Sequence, residues 1–230
     1  MALRLGDTAP DFTAETTIGK MKFHEYIQGS WTILFSHPDD FTPVCTTELS
    51  AVALSYADFQ SRGVKLIGLS ANNVESHGKW IQDINKLAPD APELDFPIIG
   101  DEDRNVSTLY GMLDNQDKSN VDKKGLPFTV RTVFIIDPEK KIRLTLAYPA
   151  STGRNFPEIL RVIDSLQLGD KYKLICTITT PANWNKGDDV IVHPSVQGEK
   201  VKELFGDDVK TVYPYLRFTA DPSTKGKASA

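Results

Sequence analysis

The strongest chemical signal in the chain is the octapeptide Pro38-Asp39-Asp40-Phe41-Thr42-Pro43-Val44-Cys45. Thr42 can cap a helix, and Pro43 suits the first helical position because its missing N–H costs nothing there. Cys45 then falls in the first turn, among free backbone N–H groups and at the positive end of the helix dipole. Thiols so placed have pKa values of roughly 3.5–7.5, against about 8.5 for a free cysteine, and the thiolate is the nucleophile. The Thr42 hydroxyl can turn toward that sulfur or toward a bound substrate oxygen. A lone cysteine at a helix start reads equally as a small core residue. The companions Pro38 and Thr42 shift the reading toward chemistry.

The other chemistry-bearing residues are scattered. His24, His37, His77 and His193 show no HxxxH or HExxH spacing, and Cys45 and Cys176 are too far apart for a CxxC pair, so neither a metal nor a cofactor is expected. Two cysteines and no apolar stretch at the N-terminus favour the reducing cytoplasm, with a mitochondrial fraction left open. A net charge of −5 without a basic run gives no attraction for nucleic acid. The longest wholly apolar runs, such as 133–136, fall far short of the about 20 residues a spanning helix needs, so no integral membrane association is expected.

Elements able to hold Cys45 in place follow from the apolar pattern. With 230 residues, 40% of them apolar, the chain can bury a substantial core. Continuous apolar runs predict buried strands over 31–36 and 64–70, with Pro38-Asp39-Asp40 as loop between strand and helix. Leu49, Val52, Ala53, Tyr56 and Phe59 recur at helical spacing after Pro43. Asn73 caps a second helix running through Trp80, Ile81, Ile84 and Leu87. A short strand over 96–99 and a short helix around Val106, Leu109 and Tyr110 follow. Strands over 133–136 and 142–148 pair across the turn Asp137-Pro138-Glu139-Lys140, and a helix covers 155–166. The order β-α-β-α-β-α-β-β-α predicts an α/β thioredoxin-like fold with a mixed central sheet. After Leu168 the chain turns polar and its strand signals shorten. The expected domains are therefore 1–168 and a C-terminal segment, 169–230, that packs on the first domain or on a partner.

Pro38, Thr42 and Cys45 spell PxxxTxxC, a spacing whose chance occurrence in a chain of this length is on the order of 1%. Around it, Phe35-Ser36-His37-Pro38 and Cys45-Thr46-Thr47-Glu48-Leu49 resemble the 1-Cys peroxiredoxins of the peroxiredoxin 6 subfamily. So do Tyr148-Pro149-Ala150-Ser151-Thr152-Gly153-Arg154-Asn155-Phe156 and Pro181-Ala182-Asn183-Trp184. The resemblance spans nearly the whole chain. It implies a thioredoxin-like peroxidase domain, a C-terminal peroxiredoxin extension used in dimerisation, and a homodimer. It also implies a thiol-dependent peroxidase acting on hydrogen peroxide and organic hydroperoxides, lipid ones included, in which Cys45 becomes a sulfenic acid. By the same resemblance Thr42 donates to and accepts from the peroxide, Pro38 shields the site from water, and Arg131 is the active-site arginine. A permanent cation beside a thiolate lowers the thiol pKa and helps bind peroxide oxygens. His37 lines the pocket, and Glu48 with Arg154 holds Arg131.

In 2-Cys relatives a resolving thiol immediately precedes a PxxW stretch. Thr180 occupies that place here and Cys176 lies upstream, so the reductant is expected to be external: glutathione with a transferase, or thioredoxin. The stretch 173–180 is longer than is usual in the family, which leaves Cys176 open between a structural and a resolving role. Some relatives also carry a calcium-independent phospholipase A2 site, whose matching positions are Ser30, His24 and Glu139. Around the serine, Gln28-Gly29-Ser30-Trp31-Thr32 lacks the outer glycines of GxSxG, and the acid is Glu139 rather than Asp.

Overall fold

The computed structural model describes residues 3–171 and 177–224. The chain opens with a hairpin of β1 (Thr13–Thr16) and β2 (Gly19–Lys22), followed by the single turn α1 (Phe23–Tyr26). The hairpin was not legible from the apolar pattern, because both strands are short and half polar; Gly19, at φ +103°, closes its turn in the left-handed region where glycine is favoured. Then come β3 (Trp31–Ser36), α2 (Pro43–Leu54), α3 (Tyr56–Ser61), β4 (Val64–Ser70) and α4 (Val74–Leu87). After these follow β5 (Ile98–Gly100), α5 (Asn105–Leu109), β6 (Arg131–Ile136) and β7 (Ile142–Tyr148). The seven strands form one sheet in the order β2-β1-β5-β4-β3-β6-β7. β3 runs parallel to β4 and antiparallel to β6, placing Leu34 between Ile67 and Phe134. This is the α/β thioredoxin-like arrangement with a mixed central sheet.

The strands expected to be buried on both faces are so. Ile33, Leu34, Ile67, Leu69, Val133 and Ile135 are shielded from solvent, each contributing about 1.5–3 kcal/mol. One core cluster gathers Phe23, Leu34, Ile67, Tyr110, Phe134 and Ile142. Asn73 caps α4 as expected, accepting the Ser76 N–H at 2.9 Å. The single helix expected from Pro43 through Phe59 is instead two. The helix ends at Ser55, whose N–H is shared between the Ala51 and Val52 carbonyls at 3.1 Å each, and α3 restarts with Tyr56. Such bifurcated bonds belong to helix ends, and serine in a helix favours local alternatives to the ladder.

The chain divides into two compact units, Met1–Phe156 and Pro157–Ala230. A boundary after Leu168 would fall inside a helix, because α6 (Phe156–Lys171) runs past it. The second unit continues with β8 (Ile178–Thr179), β9 (Val190–Val192), α7 (Glu199–Phe205), β10 (Lys210–Tyr213) and β11 (Leu216–Thr219). Its strands form an antiparallel sheet in the order β10-β11-β9-β8. Leu168, Ile178, Trp184 and Val190 make its core, and the Trp184 indole N–H donates to the Asp188 carbonyl at 3.0 Å.

Candidate active site

β3 carries the chain to Ser36, at the C-terminal end of the parallel strands. His37 and Pro38 follow, both buried, and the loop turns through Phe41 in the left-handed region at φ +54°. Thr42, with extended backbone, is the N-cap of α2 and Pro43 is its first residue, so Cys45 occupies the first turn. The Thr42 side chain does not cap the helix. Its hydroxyl donates to the Asp39 carbonyl at 2.9 Å, which leaves the oxygen's lone pairs as acceptors. Cys45 is wholly buried.

Arg131, the first residue of β6, places Nη1 at 3.3 Å from Cys45 Sγ and at 2.7 Å from Glu48 Oε2. Its Nε and Nη2 both donate to the Ala150 carbonyl, at 2.9 and 2.6 Å. Glu48 stands almost one turn after Cys45 on the same helix face, as i,i+3 spacing requires. Arg154 grips the same carboxylate: its backbone N–H and Nε reach Oε1 at 2.7 and 2.9 Å, and Nη2 reaches Oε2 at 2.8 Å. Arg154 Nη1 also donates to the Ser36 carbonyl at 2.9 Å, tying the cluster to β3. Burial pushes the Glu48 carboxyl up, but Arg154 and then Arg131 overrule it and hold it below its ordinary value. Two guanidiniums and one carboxylate leave one positive charge unmatched beside the Cys45 sulfur.

Asp40, His77, Ser76 and Asn72 gather on the far side of the loop. His37 Nε2 and His77 Nδ1 each lie 2.8 Å from the Asp40 carboxylate, and Ser76 Oγ donates to it at 2.7 Å. Asn72 Oδ1 accepts the Asp40 N–H at 3.1 Å, and its Nδ2 donates to Asp39 at 2.7 Å. Sequence reading missed this group, since residues about 35 positions apart form no local motif. The ligand-type atoms of His37, Asp40 and His77 lie within 4.8 Å of one another. Their N···O separations of 2.8 Å are those of N–H···O bonds, in which protons occupy the lone pairs a metal would need.

Ser30 and His24 are engaged elsewhere, and Glu139 does not meet them. The Ser30 hydroxyl donates to the Gln28 carbonyl at 3.4 Å, His24 Nε2 lies 2.7 Å from the Ala9 carbonyl oxygen, and Glu139 is exposed in the turn between β6 and β7. Among the described residues no hydrogen bond or ion pair joins any two of the three. Cys176 lies outside the described residues. Thr180 shares a 2.7 Å hydrogen bond with Ser165.

Residues 5–145 match the sequence model of the AhpC/TSA family, and 165–207 that of the C-terminal domain of 1-Cys peroxiredoxin. The mitochondrial peroxiredoxin PRX1 of Saccharomyces cerevisiae is 53% identical over 94% of this chain and 80% of its own. Peroxiredoxin-6 of Homo sapiens is 48% identical over 96% of this chain and 98% of its own. Among solved structures, peroxiredoxin 6 of Arenicola marina superposes with a TM-score of 0.89 at 47% identity, covering 97% of this chain and all of that one. A yeast mitochondrial 1-Cys peroxiredoxin, solved for its thiol resolving mechanism via the glutathione and thioredoxin systems, gives 0.82 at 50% identity, covering 95% and 99%.

Proposed function

Because this chain belongs to the AhpC/TSA family, and within it to the 1-Cys peroxiredoxins of the peroxiredoxin 6 type, we propose that Cys45 is its peroxidatic nucleophile and that Arg131, Thr42 and Pro38 complete the reacting site. The protein is a thiol-dependent peroxidase, an antioxidant oxidoreductase that takes a peroxide and a thiol reductant. The observation that carries the residue assignment is the 3.3 Å approach of Arg131 Nη1 to the buried Cys45 sulfur inside a cluster with one surplus positive charge.

The thiolate attacks one peroxide oxygen and the O–O bond breaks. The departing alkoxide or hydroxide takes up a proton, and sulfur, oxidised by two electrons, is left as the sulfenic acid. Arg131 offers N–H donors where negative charge moves from sulfur to the leaving oxygen. The Thr42 oxygen accepts from the hydroperoxide O–H. Pro38, buried and without an N–H, keeps water from the sulfur. Glu48 and Arg154 hold the guanidinium in place, and His37 lines the pocket. An external thiol, glutathione with a transferase or thioredoxin, condenses with the sulfenic acid to a mixed disulfide, and a second thiol releases Cys45. The test is peroxide consumption with each reductant: Cys45→Ser should be folded and inactive, and substantial turnover by that variant would sink the assignment.

The unit Met1–Phe156 carries the peroxidase site, and the remainder of the chain serves as the dimerisation extension of a cytoplasmic homodimer. Among the described residues no helix is long and apolar enough to cross a membrane. Sedimentation equilibrium tests the assembly and cell fractionation the compartment. A phospholipase A2 activity through Ser30, His24 and Glu139 would require Ser30 and His24 to leave their present partners and all three side chains to come together. Its test is fatty-acid release from phospholipid vesicles by Ser30→Ala against wild type.

A further inference from the structure

Asp40 sits within the PxxxTxxC loop, yet its carboxylate bonds to neither Cys45 nor Arg131. With its side chain 1% exposed, it accepts from His37 on Oδ1 and from His77 and Ser76 on Oδ2. A carboxylate cannot donate, so each imidazole nitrogen facing it carries a proton. The second nitrogen of His77, Nε2, lies 3.1 Å from the Ile99 carbonyl oxygen, which also can only accept. Both nitrogens of His77 thus face acceptors, an arrangement that only an imidazolium satisfies in full.

His37 shares the carboxylate but differs in its other nitrogen. Nδ1 is buried and has no partner. The two rings stand 5.9 Å apart over one carboxylate, so imidazolium on both would set like charges at close range with a single anion to match them. The charged groups acting on His37 are Asp40, which favours its protonation, and His77 and Arg154, which oppose it. Burial is the largest influence, and the balance lies below the ordinary histidine value. His37 also packs on the Trp80 ring at 4.9 Å, and the Trp80 indole N–H donates to Thr46 Oγ1 at 3.1 Å, next to Cys45 in sequence.

We propose that His77 is a positioning residue: by meeting the charge of Asp40 with a permanent positive charge, it keeps His37 neutral, protonated on Nε2, with the Nδ1 lone pair open beside the PxxxTxxC loop. The same clamp explains how Phe41 holds a left-handed backbone without being glycine, since such conformations persist where the surroundings over-determine them. Asp40 is fixed on one side of Phe41 and the start of α2 on the other.

The test is ¹⁵N NMR of the imidazoles in the full chain, with His77→Asn as the perturbation. Asparagine keeps an N–H donor near the Nδ1 position but carries no charge. In wild type His77 should show two protonated nitrogens across the neutral pH range and His37 only Nε2–H. In His77→Asn the His37 titration midpoint should rise by about 1–3 pH units, and the rate of Cys45 with hydrogen peroxide should gain a matching pH dependence absent from wild type. A singly protonated His77 in wild type overturns the proposal, and so does an unmoved His37 midpoint in the variant. Should the variant fail to fold, the wild-type spectra decide alone. The spectra read protonation whether or not Cys45 is the nucleophile, so failure of the peroxidase assignment is distinguishable from failure of this one.

Discussion

Replacing Arg131 by Met removes the cation beside the sulfur while keeping much of the side-chain volume. In the structure Nη1 lies 3.3 Å from Cys45 Sγ. Two unit charges about 4 Å apart attract by about 4 kcal/mol at an effective dielectric of about 20. Much of that attraction offsets the cost of burying the ions. The net loss is therefore closer to that of one charge-assisted hydrogen bond, about 1.5–3 kcal/mol. If it is felt fully in the transition state, the second-order rate constant with hydrogen peroxide falls about 10- to 150-fold. The assay is single-turnover oxidation of reduced enzyme in stopped flow, with circular dichroism to confirm folding. Arg131→Lys is the companion variant. A single ammonium cannot donate at once to Cys45, Glu48 and twice to the Ala150 carbonyl, so most of the loss should persist although the charge remains. A folded Arg131→Met enzyme reacting within twofold of wild type would refute the role given to this arginine.

Glu48→Gln leaves Arg131 and Arg154 buried without their shared anion, and the melting experiment should show a loss of about 3–5 kcal/mol. Glu48 lies below its ordinary 4.5 when folded, so its contribution is present above that pH and is lost as pH falls through the folded value. Wild-type Tm should therefore drop on acidification below about pH 4.5, and Glu48→Gln should follow with a shallower slope; equal slopes would exclude Glu48 as a source of the acid limb. Excess peroxide without reductant should give a dimedone-trappable sulfenic acid on Cys45 that advances to the sulfinic state. Cys176→Ser should turn over like wild type with glutathione-based reductants, and a stoichiometric Cys45–Cys176 disulfide found by peptide mass spectrometry would refute the 1-Cys mechanism.

What could be read from the sequence was whatever is local. The N-cap at Thr42, the proline at the helix start and the apolar runs of β3, β4 and β6 all act within a few residues, and each is where the pattern placed it. The β1–β2 hairpin escaped because Thr-Ala-Glu-Thr and Gly-Lys-Met-Lys bury one side chain each. The second unit's sheet escaped because β8 and β9 are two and three residues long, too short for a period to register. Arg131 was reached only through family resemblance, because nothing around it distinguishes it from other arginines before β6 and α2 are brought together. Asp40 and His77 were passed over for the same reason. Asp40 reads as loop chemistry and His77 as one histidine on an amphipathic helix, and only the packing of α4 against the loop makes them a pair.

The carbonyl of Ala150, which takes both Nε and Nη2 of Arg131, is a backbone atom. No point substitution at position 150 can delete it; a mutation can only move it. In a mutational scan, position 150 should tolerate changes of side chain, while a one-residue insertion or deletion between Pro149 and Gly153 should inactivate as thoroughly as loss of the arginine. Gly153, whose added Cβ would stand 3.6 Å from Val44, marks how closely that segment lies against the first turn of α2. The length of this connection is thus as fixed a part of the active site as any residue in it, and chimaeras between relatives should be cut outside it.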